Sequence, residues 1–195
     1  MDFDLTKSGY SLCIVAPGGS HDNLNEEYAA ITREMKQAAQ YFGSEVLRGV
    51  GKAEFTADIA GLRKRCGDRA VLRAIHYFAE NTRVRAGAEA LRDGNIDGFL
   101  RLITQSGNSS FKYLQNVYAA SEPETQEISL ALALSEEALS GKSAAVRVHG
   151  GGFAGTIQAF VPKKHVGEYF ASIERVFGEG SCLELSVRDI GATVV

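Results

Sequence analysis

Apolar residues recur along the chain with two different periods, which together predict a helix-rich middle bounded by strands. Residues 10–16 are mostly apolar and lead into Pro17-Gly18-Gly19, a pattern typical of a strand that ends in a turn. Beyond them, apolar positions recur at intervals of three and four residues, the spacing of one helix face. Helices are therefore predicted at residues 22–42, 52–66, 69–92, 95–117 (kinked or broken at 107–110) and 122–139.

The pattern changes after residue 140, where short strands alternate with one helix. Strands are predicted at 143–148, 156–161 and 183–187, and a helix at 165–177. The strand at 183–187 alternates apolar and polar residues, so one of its faces should be solvated. The complete order is the β-α-β-β-α-β series of a ferredoxin-like core, with extra helices in the first crossover.

The predicted fold class is therefore α+β, with residues 1–195 forming one domain. Residues 10–16 and 143–195 should form a four-stranded, mostly antiparallel sheet layer with helices on one face. Residues 22–140 should form a mostly helical subregion beside this layer. Asp68 is a candidate cap for the third helix, and Pro123 fits the first turn of the fifth.

Composition narrows the class of protein. Hydrophobic residues make up 45% and charged residues 23%, with a net charge of -3, which indicates a soluble globular domain rather than a disordered chain. That mixed, weak charge gives no reason to expect a nucleic-acid or membrane partner. An apolar run of about 20 residues and a signal-peptide pattern are both lacking, so a cytoplasmic location is expected.

Three cysteines stand far apart, at Cys13, Cys66 and Cys182. Their odd number and wide spacing argue against a disulfide framework and against a zinc site. We therefore expect three reduced thiols in or near the core, and no metal site.

The segment with most chemical interest is Gly150-Gly151-Gly152, which lies between two predicted strands. It fits a tight hairpin whose glycines adopt positive φ. The alternative is a loop whose bare N–H groups approach a phosphate, or brace a neighbouring phosphate loop. A lone glycine cluster does not choose between these interpretations.

Residues 146–155, which contain this cluster, resemble the third conserved motif of the GHMP kinases, a Gly-Gly-Gly-Phe-Gly-Gly type loop. Further segments resemble galactokinases in particular, in that family's order and spacing. They are Tyr10-Ser11-Leu12-Cys13-Ile14-Val15 with Gly18-Gly19-Ser20-His21, Glu27-Tyr28 and Arg33; Arg73-Ala74-Ile75-His76 with Glu80-Asn81 and Arg83-Val84; and Ala90-Leu91-Arg92-Asp93-Gly94-Asn95 with Phe99, Leu102 and Ser106.

The resemblance implies an enzyme that phosphorylates the anomeric hydroxyl of galactose with ATP and magnesium, in a cleft between two domains. It also implies a ferredoxin-like C-terminal domain, to which this chain corresponds. Tyr28 matches the tyrosine that contacts the sugar, although its place on the apolar stripe of its helix also suits a core residue. The phosphate-loop support positions are Gly150, Gly151, Gly152 and Gly155.

Some positions depart from the family pattern or carry no assigned role. Ala154 stands where glycine is common and requires a negative φ. His149 and Ala16-Pro17 also depart from the usual residues.

Several charged or imidazole side chains lie in the family-like segments. His76 and Glu80 are four residues apart on one helix and should pair locally, while Arg73 and Arg83 should bind one carboxylate or face the other domain. No catalytic role is assigned to these residues or to His21.

The family's N-terminal segments, which supply the sugar motif, the phosphate loop and the catalytic aspartate, do not occur in this sequence. We therefore assign no catalytic residue here and expect no ATP or Mg²⁺ to be held by this chain alone. The expected partners are galactose and an N-terminal galactokinase domain, with self-association possible through the surface that domain would cover.

Other functions remain open. They are a GHMP kinase for another sugar such as N-acetylgalactosamine, a non-catalytic sugar-binding or regulatory module, and an unrelated ferredoxin-like interaction domain.

Overall fold

The computed structural model describes residue 5, residues 7–19 and residues 24–186. His21 and the predicted extension of the sheet layer through 187–195 lie outside these residues. Within them, strands β1 (Tyr10–Val15), β2 (Ala145–His149), β3 (Thr156–Pro162) and β4 (Cys182–Leu185) form one sheet in the order β2-β3-β1-β4.

All neighbouring strands of the sheet are antiparallel. Val15 of β1 lies opposite Ile157 of β3 on one side and Cys182 of β4 on the other. Strand β3 lies between β1 and β2, which is the arrangement of a split β-α-β unit. The predicted α+β class and ferredoxin-like strand order are therefore confirmed.

The helices of the described chain follow the predicted order with changed boundaries. They are α1 (Asn25–Tyr41), α2 (Lys52–Ala57), α3 (Ile59–Cys66), α4 (Asp68–Arg92), α5 (Ile96–Ser109), α6 (Glu127–Ala138) and α7 (Val166–Phe177). None of the helices in the described part of the chain combines the length and apolar character needed to cross a membrane.

Two predictions about the helical subregion are wrong, namely the unbroken helix at 52–66 and the cap at Asp68. The single helix at 52–66 is divided at Asp58, whose side chain accepts a hydrogen bond from Gly61 N at 3.0 Å and so begins α3. Asp68 is the first residue of α4 rather than its cap. The N-cap position is held by Gly67, with φ of 83°, so no side chain caps this helix.

The segment between α5 and α6 also differs from expectation. Residues 107–110 do not break the helix; α5 continues to Ser109 and changes into a π-helical turn, Ser110–Leu114, which ends at Gln115 with φ of 58°. Pro123 does not begin a helix, since it lies in a turn where Thr125 N donates to Glu122 O at 3.1 Å.

The main core lies between one face of the sheet and helices α6 and α7. Val15, Ile157 and Ile173 are completely buried there. Cys13 and Cys182 belong to the same core, and burial is the main reason that their pKa values rise to about 12 and about 11. Cys66 is a half-buried free thiol, so the prediction of thiols in or near the core is confirmed.

The opposite face of the sheet is covered by a helix from the inserted subregion. Leu100 of α5 packs with Ala145 and Phe160, so the expectation of helices on a single face is wrong. Gly107 permits this approach, because a Cβ there would lie 3.0 Å from Arg147 Cβ and 3.1 Å from Val146 O. Helices α1, α3 and α4 build a separate core in which Ala38, Leu62 and Ala74 are completely buried.

Strand β4 differs from the predicted strand at 183–187. It begins one residue earlier, at Cys182, and that side chain enters the main core. Leu183 and Leu185 lie opposite Ile14 and Leu12 and remain 54% and 44% exposed. The alternation therefore does not place the leucines in the core.

Candidate functional site

The glycine loop, residues 150–155, connects β2 to β3. Gly150 and Gly152 have φ of 66° and 82°, and Phe153 also has a positive φ, 59°. Ala154 is not among the described non-glycine residues with positive φ, so its methyl group meets the condition set by the sequence. Gly155 has no steric need to be glycine, because an added Cβ would meet Gly152 O at an ordinary 3.5 Å.

Tyr28 contacts this loop directly. Its hydroxyl donates to Gly152 O at 2.7 Å, and its ring lies edge-on against Phe153 with centroids 4.9 Å apart. A Cβ on Gly151 would lie 2.8 Å from the tyrosine ring, so the absence of a side chain at Gly151 permits the contact. The structure thus brings together the predicted sugar-contact residue and the predicted loop.

The surroundings of Tyr28 are partly apolar. Its pKa is raised, chiefly by burial, although a hydrogen bond with the backbone of Ala154 acts in the opposite direction. Leu24, Phe153 and Ala154 are buried in the same small cluster. Gly19, after β1, also reaches the loop, since a Cβ there would lie 3.2 Å from atoms of Ala154.

Asn116 is a further residue of this site that the sequence does not indicate. Its carbonyl accepts from Phe153 N at 2.7 Å, and its Nδ2 donates to Gly151 O at 3.2 Å. The side chain is 2% exposed and its Oδ1 has no hydrogen-bond partner. A single polar residue beside Val117 in a segment predicted as helix carries no recognisable motif.

Several loop amides are satisfied within the chain. Ala154 N and Gly155 N both donate to Gly152 O, at 2.9 and 3.2 Å, and Phe153 N donates to Asn116. These amides cannot also be directed at a phosphate, so the arrangement fits a rigid support better than a complete phosphate cradle.

Arg73 and Arg83 bind different carboxylates, so the first of their two predicted alternatives, a shared carboxylate, is wrong. Arg73 is 1% exposed; its Nη1 pairs with Glu34 Oε2 at 2.8 Å and its Nε donates to Leu114 O at 3.1 Å. Arg69 binds the same Glu34 from a more exposed position. Burial is the main reason that the pKa of Arg73 is lowered.

A second, partly buried polar network joins α4, α5 and β2. Glu80 accepts from Ser106 and pairs with Arg83 at 2.6 Å and with Arg147 at 3.6 Å. Burial raises the pKa of Glu80, but hydrogen bonds from Ser106 and Arg83 and the charges of both arginines outweigh it, so the pKa is lowered.

His76 lies in the same region but does not make the predicted local hydrogen bond with Glu80. Its Nδ1 lies 3.0 Å from Ser109 Oγ, and its ring is 7% exposed. Burial is the principal cause of its lowered pKa. The environment therefore favours a neutral structural histidine.

A cavity of about 380 Å³ opens between α1, α4 and the π-helical turn. Its walls include Glu27 and Gln115, the sequence neighbours of Tyr28 and Asn116, together with Arg69 and Arg73. Among the residues that the structure describes, no group of three or more His, Cys, Asp or Glu side chains is arranged to hold a metal ion.

Comparison with known proteins identifies relatives of the chain. The galactokinases of Actinobacillus pleuropneumoniae serotype 3 (strain JL03) and Glaesserella parasuis serovar 5 (strain SH0165) are each 32% identical to it over 158 residues. The chain is similar to part of a galactokinase. The alignments cover 81% of this chain, but the chain spans only 39% of the length of these relatives.

A solved structure has the same fold. The crystal structure of Lactococcus lactis galactokinase complexed with galactose superposes with a TM-score of 0.69 at 23% identity, covering 92% of this chain and 45% of that chain. No protein-family model matches the chain. The relatives and this fold agree with the expected correspondence to the C-terminal portion of a galactokinase.

Proposed function

We propose that this chain forms the C-terminal part of a galactokinase, an enzyme that transfers the γ-phosphate of ATP to the 1-hydroxyl of galactose. One contact carries the proposal: the Tyr28 hydroxyl lies 2.7 Å from Gly152 O. It joins the position that the family resemblance assigns to the sugar with the loop assigned to the phosphates. The galactokinase relatives that align over 81% of the chain support this interpretation.

In this proposal Tyr28 contacts the sugar and the glycine loop supports the phosphate-binding elements of the enzyme. Phosphoryl transfer depends mainly on holding the two reacting groups in line. The hydrogen bonds of Ala154 and Gly155 to Gly152 and of Phe153 to Asn116 keep the loop in one shape, and the bond to Tyr28 joins the loop to helix α1. When bound, ATP supplies the phosphoryl group and Mg²⁺ neutralises its charge.

The remaining groups are proposed to come from a second segment, the N-terminal portion of a galactokinase. That segment would supply the principal phosphate loop, the metal ligands and the catalytic carboxylate. The assembled enzyme would act in the cytoplasm, and this chain would have no turnover by itself.

The test is ADP release with galactose, ATP and Mg²⁺, measured for this chain alone and mixed with the N-terminal portion of a galactokinase. Activity is expected only in the mixture. Tyr28→Phe should lower kcat/KM about fivefold, because it removes a hydrogen bond worth roughly 1 kcal/mol at the substrate site. Tyr77→Phe, a half-buried tyrosine of the helical subregion, is the matched control and should leave kcat/KM unchanged.

The other outcomes separate the remaining hypotheses. Turnover by the chain alone would show that the catalytic groups lie in this chain and not in the N-terminal portion. Galactose binding without turnover in the mixture would instead favour the non-catalytic sugar-binding module. Phosphorylation of another sugar in preference to galactose would assign a different substrate within the GHMP kinases.

A further inference from the structure

The glycine loop is hydrogen-bonded to a residue outside it that neither the glycine motif nor the family resemblance indicates. Asn116 makes two hydrogen bonds to the loop. Its carbonyl accepts from Phe153 N at 2.7 Å, and its Nδ2 donates to Gly151 O at 3.2 Å. The fit is close, since a Cβ on Gly152 would lie 1.9 Å from Asn116 O. The position of the loop relative to the rest of the fold is therefore set by Asn116.

The position of Asn116 is set in turn by the π-helical turn that precedes it. Gln115, with φ of 58°, donates its N–H to Ser110 O at 2.8 Å and ends the turn directly before Asn116. The carbonyl of Leu114 accepts from Arg73 Nε at 3.1 Å. This turn is thus fixed to helix α4 through a side chain that is 1% exposed.

Arg73 can fix this turn because its guanidinium is itself fixed. Nη1 pairs with Glu34 at 2.8 Å while Nε bonds to Leu114, so two edges of one rigid planar group are held. A lysine would keep the charge beside Glu34 but could not hold both partners in this geometry.

We propose that Asn116 is the positioning residue of the glycine loop and that Arg73 acts on the loop through Asn116. The effect of these two residues on catalysis rests on the proposed galactokinase function, whereas their effect on the loop does not. No hydrogen bond or ion pair joins Arg73 to residues 150–155 in the described structure, so a merely local role would leave the loop amides unaffected.

The first test is amide hydrogen exchange in the isolated chain. Asn116→Asp replaces the donor to Gly151 O with a carboxylate, and Arg73→Lys removes the bond to Leu114. Each should speed exchange of the Phe153 amide about tenfold, which corresponds to about 1.4 kcal/mol of local opening. Exchange at Ile173, in the main core, reports global unfolding and corrects for lost stability.

Two matched controls belong to this test. Asn108→Asp makes the same change at an exposed position of α5, and Arg69→Lys alters the other arginine on Glu34 without touching Leu114. Both should leave Phe153 exchange unchanged.

If Arg73 acts on the loop only through Asn116, the two substitutions are not independent. The double variant Asn116→Asp/Arg73→Lys should then speed Phe153 exchange by less than the product of the two single increases. Unchanged exchange in Asn116→Asp would overturn the role of Asn116. Multiplying effects, or no effect of Arg73→Lys, would overturn the link to Arg73.

The second test uses the mixture with the N-terminal portion. Asn116→Asp and Arg73→Lys should lower kcat/KM for ATP about tenfold, while KM for galactose stays constant. An active mixture in which both variants keep the wild-type kcat/KM would overturn the positioning role. An inactive wild-type mixture, together with faster Phe153 exchange in the variants, would instead contradict the proposed function and leave the positioning role intact.

Discussion

At the residue scale, two glycines of the same loop face different constraints. Gly150 and Gly152 both have positive φ, 66° and 82°, a region that L side chains enter at a cost. A Cβ on Gly150 would meet nothing within 4 Å, whereas one on Gly152 would lie 1.9 Å from a backbone carbonyl. Backbone strain and steric exclusion can therefore be separated within a single turn.

We expect Gly150→Ala to lower the free energy of unfolding by about 1–2 kcal/mol, the cost of a left-handed alanine. Gly152→Ala adds a clash with Asn116 O that only movement of the loop relieves, so its loss should exceed about 3 kcal/mol. Urea denaturation of both variants measures this difference. Equal losses would mean that the loop moves away from Asn116 without cost.

The sequence predicts some of these residues and not others for a physical reason. Tyr28 and the glycines belong to recognisable segments, so their residue types and spacing are enough to mark them as site residues. Asn116 contributes through a backbone carbonyl and a buried amide, and any residue type supplies the carbonyl. Its role depends on the π-helical turn, which the pattern of apolar residues does not reveal.

At the scale of single elements, the start of helix α5 is specified by one side chain. Asn95 accepts from Gly98 N at 2.9 Å and so satisfies one of the free amides of the first turn. Glycine at position 98 suits this cap, because a Cβ there would lie 2.5 Å from Asn95 Nδ2.

Asn95→Ala should lower the free energy of unfolding by about 1 kcal/mol, the usual value of an N-cap. Asn108→Ala is the matched control. It removes the same kind of side chain from a solvent-exposed position within α5, where alanine is the better helix former. It should be neutral or slightly stabilising. Thermal or urea unfolding of both variants provides the measurement, and an equal loss in both would argue against the cap.

Element boundaries show where local patterns fail. The helix predicted to start near Asn95 does start there, but Asp68 does not cap α4 and Pro123 does not lie in the first turn of a helix. Both residue types are common at helix starts, but Gly67 occupies the N-cap of α4 and Pro123 lies in the turn from Glu122 to Thr125. Asp58 is the cap that divides the predicted helix at 52–66, and a side chain that caps a helix equally suits its exposed face.

At the scale of the whole molecule, the strand order follows from the sequence but the layering does not. The β-α-β-β-α-β series predicts the ferredoxin-like sheet order, because each connection has few sterically allowed routes. The packing of α5 on the second sheet face depends on Gly107 and on the partly buried network around Glu80 and Arg147. These contacts join residues far apart in sequence, so no local period predicts them.

The buried His76, which lies beside that network, couples stability to pH. Burial is the main cause of its lowered pKa; the charges of Arg83 and Arg147 lower it further, while Glu80 and the bond to Ser109 act in the opposite direction. The unfolded chain therefore binds a proton at His76, with a pKa of about 6.5, over a range in which the folded chain does not. The stability that neutral His76 contributes is present above this value and is lost as the pH falls.

We expect the free energy of unfolding to fall between pH 7 and pH 5, by at most about 1.4 kcal/mol per pH unit for this one group. The lowered pKa values of Glu80, Asp58 and Asp68 lie below this window, so carboxylate effects should appear only at more acidic pH. His76→Gln should flatten the profile between pH 7 and pH 5, whereas the exposed control His149→Gln should not. Urea denaturation at half-unit pH steps measures these slopes, and a slope unchanged by His76→Gln would mean that another group couples stability to pH.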